Sequence, residues 1–483
     1  MEQELLFDRK YATLCDAYTD ISRYAAHLHI NGRSKDYEKL RADATHAYAN
    51  NIQYDQQSTS VENCEDIEEI VQAESEKKSA KQVYSNVLLQ FMMQLDPHSL
   101  YISEDVAPQM QKEEKNISFG IGVEFKYVHR AIKTALPIES LIVDYVYPGT
   151  DAEQFLQRGD EIESINDTPV QGKLFGEIRE IISSQPDEVK IKITRSPDII
   201  TLKQKDFQKT PFYKSEIASS DRKFVEFRIP RFTSGLAKRL KRELEGLGSS
   251  NQGLILDLRG NPGGLVDEAE KVINLFVSKK GESFYTEGEY DNPSSLYSHK
   301  AYHFENSAIY KKPMVVLVDS DTASASEIVS KVLQQNSRAL ILGNQTFGKG
   351  SVQVDQLISS KNGFGGILIT TIALVYYPND QSHQIRGILP DYQLMDPYFE
   401  EAVETLKEKQ QKMILHESDY SNVIQPREKQ IQTETASLAD TLDLENMTGN
   451  AGFEETCAQT SYQNCLEKYA IEFLEQMKLR GAL

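Results

Sequence analysis

Nowhere in its 483 residues does the chain carry eighteen consecutive apolar residues, so no segment reads as a membrane-spanning helix. Positive charge is in the minority, with 53 Lys and Arg against 73 Asp and Glu and a net charge of −20. A surface of that sign repels polyphosphate backbones and anionic headgroups, so neither nucleic acid nor a charged bilayer is an expected partner. Cysteine is scarce: Cys15, Cys64, Cys457 and Cys465 form no CxxC pair, which argues against a metal centre or a thiol redox site. The Cys457 and Cys465 spacing suits either a disulfide in an oxidising compartment or two buried thiols. The glycine turn DLRGNPGG lacks the GxGxxG and GxxxxGK[ST] spacings, so no nucleotide is expected there, and no metal or organic cofactor is expected elsewhere. The first residues, MEQELLFDRKYATLC, lack the basic-then-apolar layout of a secretory signal.

What is present centres on residues 312–353, KPMVVLVDSDTASASEIVSKVLQQNSRALILGNQTFGKGSVQ. Met314 to Val318 reads as a buried strand, and Ile328, Val329, Val332 and Leu333 mark one face of a helix. Ala339 to Leu342 reads as a second strand, and Lys349 follows between glycines. The Thr322 to Ser326 cluster therefore sits at a helix N-terminus, where unpaired N–H groups and the dipole favour an oxyanion. A serine hydroxyl there needs a base, and lysine becomes one only if burial lowers its pKa. Two plainer readings stand beside this one: Ser324 and Glu327 have capping-box spacing, and Gly-Lys-Gly is an ordinary turn.

TASASEI, with the lysine of TFGKGSVQ twenty-five positions after Ser324, resembles the active-site signature of the carboxy-terminal processing (tail-specific) proteases. That resemblance implies Ser324 as nucleophile, Lys349 as general base and Gln353 as the residue orienting the lysine. DLRGNPGG, residues 257–264, is similar to the family's glycine turn, which implies an oxyanion hole from Ala325 with Gly263 or Gly264. Asp321 stands where the family often has Gly. LDPHS, residues 95–99, and the segment ending in the Gly387 to Asp391 turn also resemble family elements. By itself, His98 reads as a turn residue. In total the resemblance spans residues 95–395.

Residues 118–207 resemble a PDZ domain, through PGTDAEQF, RGDEIESIND, a helix near Phe175 to Ser183 and the alternating strand of Val189, Ile191 and Ile193. Gly120, Ile121, Gly122 and Val123 resemble its carboxylate-binding loop, where backbone N–H groups meet a peptide C-terminus and the peptide adds a strand. Elsewhere, Ala80 to Leu95 has amphipathic helical spacing, and a helix is expected from Thr233 or Ser234. Leu265, Ala269, Val272, Ile273 and Phe276 mark a helix face after the glycine turn. Strand, glycine turn, helix and strand make a βαβ unit.

The expected architecture is multidomain α/β. Residues 1–117 form a helical N-terminal region, 118–207 a PDZ domain, 208–397 the protease core, and 398–483 a helical extension with a polar linker at 415–450. The resemblance implies a core of the tail-specific protease, ClpP/crotonase-like type. The last amphipathic helix is expected on the body or on a second subunit of a homo-oligomer. By resemblance the chain is a serine endopeptidase cutting proteins near their C-termini, outside the cytoplasm in periplasm or cell envelope. Its rival is a catalytically silent peptide- or ligand-binding protein on the same fold.

Overall fold

The computed structural model describes residues 13–31, 36–51, 79–104, 117–128, 140–147, 149–157, 160–173, 175–184, 187–219, 222–288, 299–358, 365–393, 416–420, 422–426 and 462–479. Three helices come first: α1 (Leu14–Leu28), α2 (Tyr37–Asn51) and α3 (Ala80–Leu95). Thr13 and Asp16 cap α1 reciprocally, and Ser79 and Gln82 do the same for α3. The spacing read from sequence buries Val83, Tyr84, Val87, Leu88, Phe91 and Leu95 against Tyr18 and Ile21. Pro97 ends α3 by forcing Asp96 into the extended region, at φ −165° and ψ 169°. Strand β1 (Leu100–Ser103) follows directly. Cys15, on α1, is disulfide-bonded; the choice between a disulfide and two thiols at Cys457 and Cys465 rests on Cys457, which lies outside the described residues.

The next segment holds β2 (Ile117–Gly120), β3 (Val123–Val128), β4 (Ser140–Val146), β5 (Glu161–Ile165), β6 (Thr168–Pro169), α4 (Phe175–Ser183), β7 (Glu188–Ile193), β8 (Ile199–Lys203) and β9 (Lys205–Gln208). An antiparallel sheet runs β3-β4-β5-β7-β8, with β3 at one edge and β6 beside β5. Alternating Val189, Ile191 and Ile193 face Leu141, Val143, Ile162 and the α4 residue Ile178. Strands β2 and β9 pair with each other, so the segment enters and leaves side by side. A module closed in that way sits within another domain without disturbing it.

The remaining elements are β10 (Tyr213–Ser219), β11 (Arg222–Arg228), α5 (Leu236–Glu245), β12 (Asn251–Asp257), α6 (Val266–Ile273), β13 (Lys280–Gly288), β14 (His299–Glu305), β15 (Met314–Val318), α7 (Ala325–Gln335), β16 (Leu340–Gly343), β17 (Ser351–Ile358), β18 (Gly366–Tyr376), β19 (Tyr392–Gln393) and α8 (Tyr462–Leu479). One sheet runs β10-β11-β12-β15-β16-β19, parallel from β11 onward. Its two faces are both covered, which is why its strands read as unbroken apolar runs. Leu254, Leu256, Met314, Val316 and Ile341 meet the residues of α5, α6 and α7. Ile255, Val315, Leu317, Leu340 and Leu342 meet Phe473, Leu474 and Met477 of α8. The last helix thus lies on the body of its own chain.

A second sheet runs β1-β18-β13-β14, with β17 along β18. The α1–α3 bundle rests on it through Tyr101, Ile358 and Leu368. The two sheets share the loop 344–350, which leads from β16 in the first to β17 in the second.

Three expectations need correction. The helix expected at Thr233 or Ser234 begins at Leu236, because Gly235 takes a left-handed conformation (φ 80°) that only then releases the chain into the helix. Leu265 is 47% exposed rather than core, since α6 starts one residue later and turns its buried face to Ala269, Val272 and Ile273. Part of the supposed polar linker is anchored: Glu417 and Ile424 are buried, Ile424 against Leu374 and Tyr376. The helix read beyond Pro397 lies outside the described residues.

Candidate active site

The chain leaves β15 at Val318 and turns into α7 through Asp319 to Ala323. The Asp319 carboxylate accepts the N–H of Gly260 at 2.9 Å and that of Asp321 at 3.1 Å. Thr322 Oγ1 donates to the Leu258 carbonyl at 3.0 Å, and the Ala323 N–H donates to the Asn261 carbonyl at 2.9 Å. The serine turn is thereby bolted to the glycine turn 258–264. Ser324 follows at φ 57° and ψ −120°, a strained conformation for a residue with a side chain. It stands at the N-terminus of α7, facing the dipole's positive end.

Glu327, three residues on, holds this turn. It is fully buried, and its carboxylate collects four donors: Thr346 Oγ1 at 2.6 Å and the N–H groups of Gly348 at 2.7 Å, Ser324 at 2.8 Å and Lys349 at 2.8 Å. One side chain therefore ties the backbone of the serine to the backbone of the lysine. Burial raises its pKa to about 7, against the opposing pull of those hydrogen bonds. Glu327 is the capping-box partner its spacing suggests, accepting the Ser324 N–H, and it also reaches the lysine loop. What gave it away was position: it adjoins the apolar stripe of Ile328 and Val329, where a charge is out of place.

Lys349 lies in a loop fixed on every side. Its carbonyl accepts from His383 Nε2 at 3.0 Å, the Gly350 N–H donates to Gln384 Oε1 at 2.7 Å, and Ile385 N–H donates to the Gly348 carbonyl at 2.8 Å. Gly348 packs so closely that an added Cβ would lie 3.0 Å from the Ile385 carbonyl. The ammonium nitrogen Nζ donates to Gln353 Oε1 at 2.5 Å and to the Ser351 carbonyl at 3.4 Å. Burial pushes the lysine pKa down; the carboxylates of Glu417, Asp96 and Glu327 oppose that shift, and Arg231 assists it. Asp321 is exposed and is not among these charges. No hydrogen bond joins Nζ to Ser324 among the described residues, so the amine in this structure is turned toward Gln353.

Gly263 (φ 100°) touches the serine turn: a Cβ there would lie 2.7 Å from Ser324 Cβ and 2.9 Å from the Ala325 nitrogen. Its own N–H is already engaged by Asn261 Oδ1 at 2.8 Å. Gly264 is bridged to Phe232 through the Gly263 carbonyl and the Leu265 N–H on either side, so the Gly264 N–H points away from that pairing. Among the described residues neither the Gly264 N–H nor the Ala325 N–H has a hydrogen-bond acceptor.

Gly120, Ile121, Gly122 and Val123 run from the end of β2 into the edge strand β3. Ile121 is buried, and Gly122 (φ 75°) leaves only 2.3 Å between a Cβ and Thr150 Cγ2. His98, read as a turn residue, has a partner that no local pattern could disclose: its Nε2 is 2.6 Å from Glu417 Oε2. No cluster of metal-ligating side chains occurs among the described residues.

A strained serine and a desolvated lysine are held by one buried carboxylate on an α/β scaffold, and the comparisons give the class: a serine peptidase. A family model described as Peptidase family S41 matches residues 224–394, the stretch carrying Ser324, Glu327, Lys349, Gln353 and the glycine turn, but not Asp96, His98, Gly120–Val123 or Glu417. A carboxy-terminal-processing protease of Bartonella bacilliformis is 30% identical over 327 residues, covering 66% of this chain and 70% of that protein. The carboxy-terminal processing protease CtpA of Bacillus subtilis is 29% identical over 317 residues, 63% of each chain. The tail-specific protease of Haemophilus influenzae is 28% identical and is spanned over 45% of its length. The chain belongs to peptidase family S41.

Proposed function

We propose that the chain is a serine endopeptidase that cuts protein substrates near their C-termini through a Ser324/Lys349 dyad. The observation that carries this reading is the shared Glu327 carboxylate, which fixes the serine and lysine backbones to one point while burial favours the neutral amine. Ser324 Oγ attacks the scissile carbonyl carbon as neutral Lys349 Nζ takes its proton. The oxyanion is received by the N–H groups of Ala325 and Gly264; the bond from Gly263 to Asn261 removes Gly263 from the choice. The tetrahedral species collapses, the scissile C–N bond breaks, and the lysine gives its proton to the leaving amine. Water, deprotonated by the same lysine, then attacks the acyl-serine ester and releases the new C-terminus. Gln353 holds Nζ by accepting one of its N–H bonds.

The module of β2–β9 serves, in this reading, as a PDZ domain that captures the substrate tail. β3 is an edge strand whose free side accepts an added strand, and the Gly120–Val123 turn stands at its start to receive the terminal carboxylate. Protein substrates are what the family acts on; the preference for C-termini is carried by this module. The disulfide at Cys15 supports an extracytoplasmic site of action, since such bonds persist in oxidising compartments.

The test is cleavage of an unfolded protein ending in an apolar residue with a free carboxylate, and of the same protein amidated at its C-terminus. Wild type cuts the free tail faster, while Ser324→Ala and Lys349→Ala cut neither. Binding of the tail without cleavage would overturn the protease reading in favour of a silent binding protein.

A further inference from the structure

Behind Gln353 a line of buried polar groups crosses the second sheet into the N-terminal helical layer. Gln353 on β17 faces Thr371 on β18 as its cross-strand partner. Gln353 Nε2 lies 3.0 Å from Thr371 Oγ1 and 3.0 Å from Ser351 Oγ. Thr371 Oγ1 lies 3.0 Å from Asp96 Oδ1. Asp96 is wholly buried at the end of α3, and among the described residues every hydrogen bond it makes is with a donor: the N–H groups of His98 and Ser99 and Thr371 Oγ1 at Oδ1, His29 Nε2 and Ser99 Oγ at Oδ2. His29 Nδ1 accepts the Asn31 N–H, so Nε2 carries the proton that is donated to Asp96. Ser99 Oγ also accepts the Thr371 N–H at 3.1 Å, which locks the α3–β1 turn onto β18.

We infer that Asp96 and Thr371 are positioning residues for the base, because together they dictate which end of the Gln353 amide meets Lys349. The inference rests on the reading of Lys349 as the base. A threonine hydroxyl has one proton, and a carboxylate only accepts, so that proton goes to Asp96. The hydroxyl's lone pair is then left for Gln353 Nε2, whose second hydrogen goes to Ser351 Oγ. With both amide hydrogens committed, Oε1 faces Lys349 and accepts from Nζ. A neutral amine has two hydrogens and one lone pair. The hydrogens go to Gln353 Oε1 and the Ser351 carbonyl, which leaves the lone pair for the proton of Ser324. A reversed amide would point its N–H at that lone pair and consume the base. The carboxylate at the start of LDPHS thus acts on the chemistry through two intermediates, without touching substrate.

Thr371→Val keeps the shape of the side chain and removes the hydroxyl; Thr371→Ser keeps the hydroxyl; Asp96→Asn introduces a donor where only an acceptor fits. Each is compared with wild type for kcat and KM on a peptide with a free apolar C-terminus. The rate at which an alkyl fluorophosphonate labels Ser324, and the melting temperature, are measured beside them. Thr371→Val and Asp96→Asn are expected to lower kcat and the labelling rate by about tenfold or more, with KM within about twofold, and Thr371→Ser to restore them. Wild-type rates in folded Thr371→Val or Asp96→Asn overturn the inference. So does failure of both to fold, which would make the pair structural. If Lys349→Ala keeps wild-type kcat, the lysine reading falls and this inference with it. If Lys349→Ala is inactive while Thr371→Val is unchanged, only the positioning role falls.

Discussion

The backbone N–H of Lys349 donates to Glu327 Oε2 at 2.8 Å, the same oxygen that accepts the N–H of Ser324. Two residues separated by a helix, a strand and a loop are thus registered on one atom. Replacing Glu327 by Gln puts an NH2 group among four donors and leaves at least one N–H unpaired. A buried donor without a partner costs about 1–3 kcal/mol, and the loss falls on the turn that aims the serine. Glu327→Gln is expected to lower kcat/KM by about a hundredfold with a smaller loss of stability, measured by peptide cleavage and urea unfolding.

Glu327 also sits 3.9 Å from His383, a second buried titrating group, whose pKa burial lowers to about 4. Their effects on stability oppose each other. Glu327 binds its proton more tightly when folded, so its contribution is present below about 4.5 and is lost as pH rises to about 7. His383 binds its proton less tightly when folded, so its contribution is present above 6.5 and is lost as pH falls to about 4. Each amounts to roughly 3 kcal/mol by the free energy of a pKa shift, so the wild type should show a shallow stability profile between pH 4.5 and 6.5. Glu327→Gln should unmask the histidine, and unfolding free energy should then rise with pH across that window. A profile parallel to wild type would refute this.

The lysine is expected to set the acid limb of the rate profile. Burial lowers its pKa, so kcat/KM rises with pH through a value below that of a free lysine. Glu417 is the foremost charge holding the ammonium form in place. Glu417→Gln should therefore shift the acid limb to lower pH, read from kcat/KM against pH. A shift to higher pH would show that the broken contacts to His98 and Gln384 outweigh the charge.

Residues 416–420 and 422–426, a strap that carries Glu417, are held by Ile424, buried at 5% exposure. Ile424→Ala should destabilise the protein by about 2–5 kcal/mol, as large-to-small core substitutions do, if the strap unfolds with the body. Urea unfolding measures this; a change below about 0.5 kcal/mol would mean that the strap opens on its own.

Gly263→Ala places a methyl 2.7 Å from Ser324 Cβ at a φ of 100°. Cleavage and fluorophosphonate labelling should both be lost, since the serine turn has no room to yield. Gly281→Ala, at φ 114° with nothing within 4 Å, should fold with a strain of about 1–2 kcal/mol and keep its activity.

Much of this was legible in the order of residues. A five-residue apolar run at Met314 to Val318 has to be covered on both faces, and the amphipathic spacing from Ala80 to Leu95 marks a helix. TASASEI, the lysine of TFGKG and the two glycines of GNPGG mark the candidate reacting groups because each rests on local chemistry: a helix terminus, a turn, a positive φ. What lay beyond reach was every group whose role depends on a distant partner. Glu327 reads as a cap and is one, but its sequence does not disclose that Thr346 and Gly348 fold onto the same carboxylate; His98 looks like a turn residue until Glu417 arrives from 319 positions away. Asp96 and Thr371 meet only because β1 pairs with β18. Sequence alone determined most of the elements and pointed to the candidate reactive side chains, since propensity, periodicity and turn chemistry act within a few residues. Tertiary structure alone decided which buried carboxylates surround the lysine, and so its charge, because desolvation and hydrogen bonding come from whatever the fold packs against it.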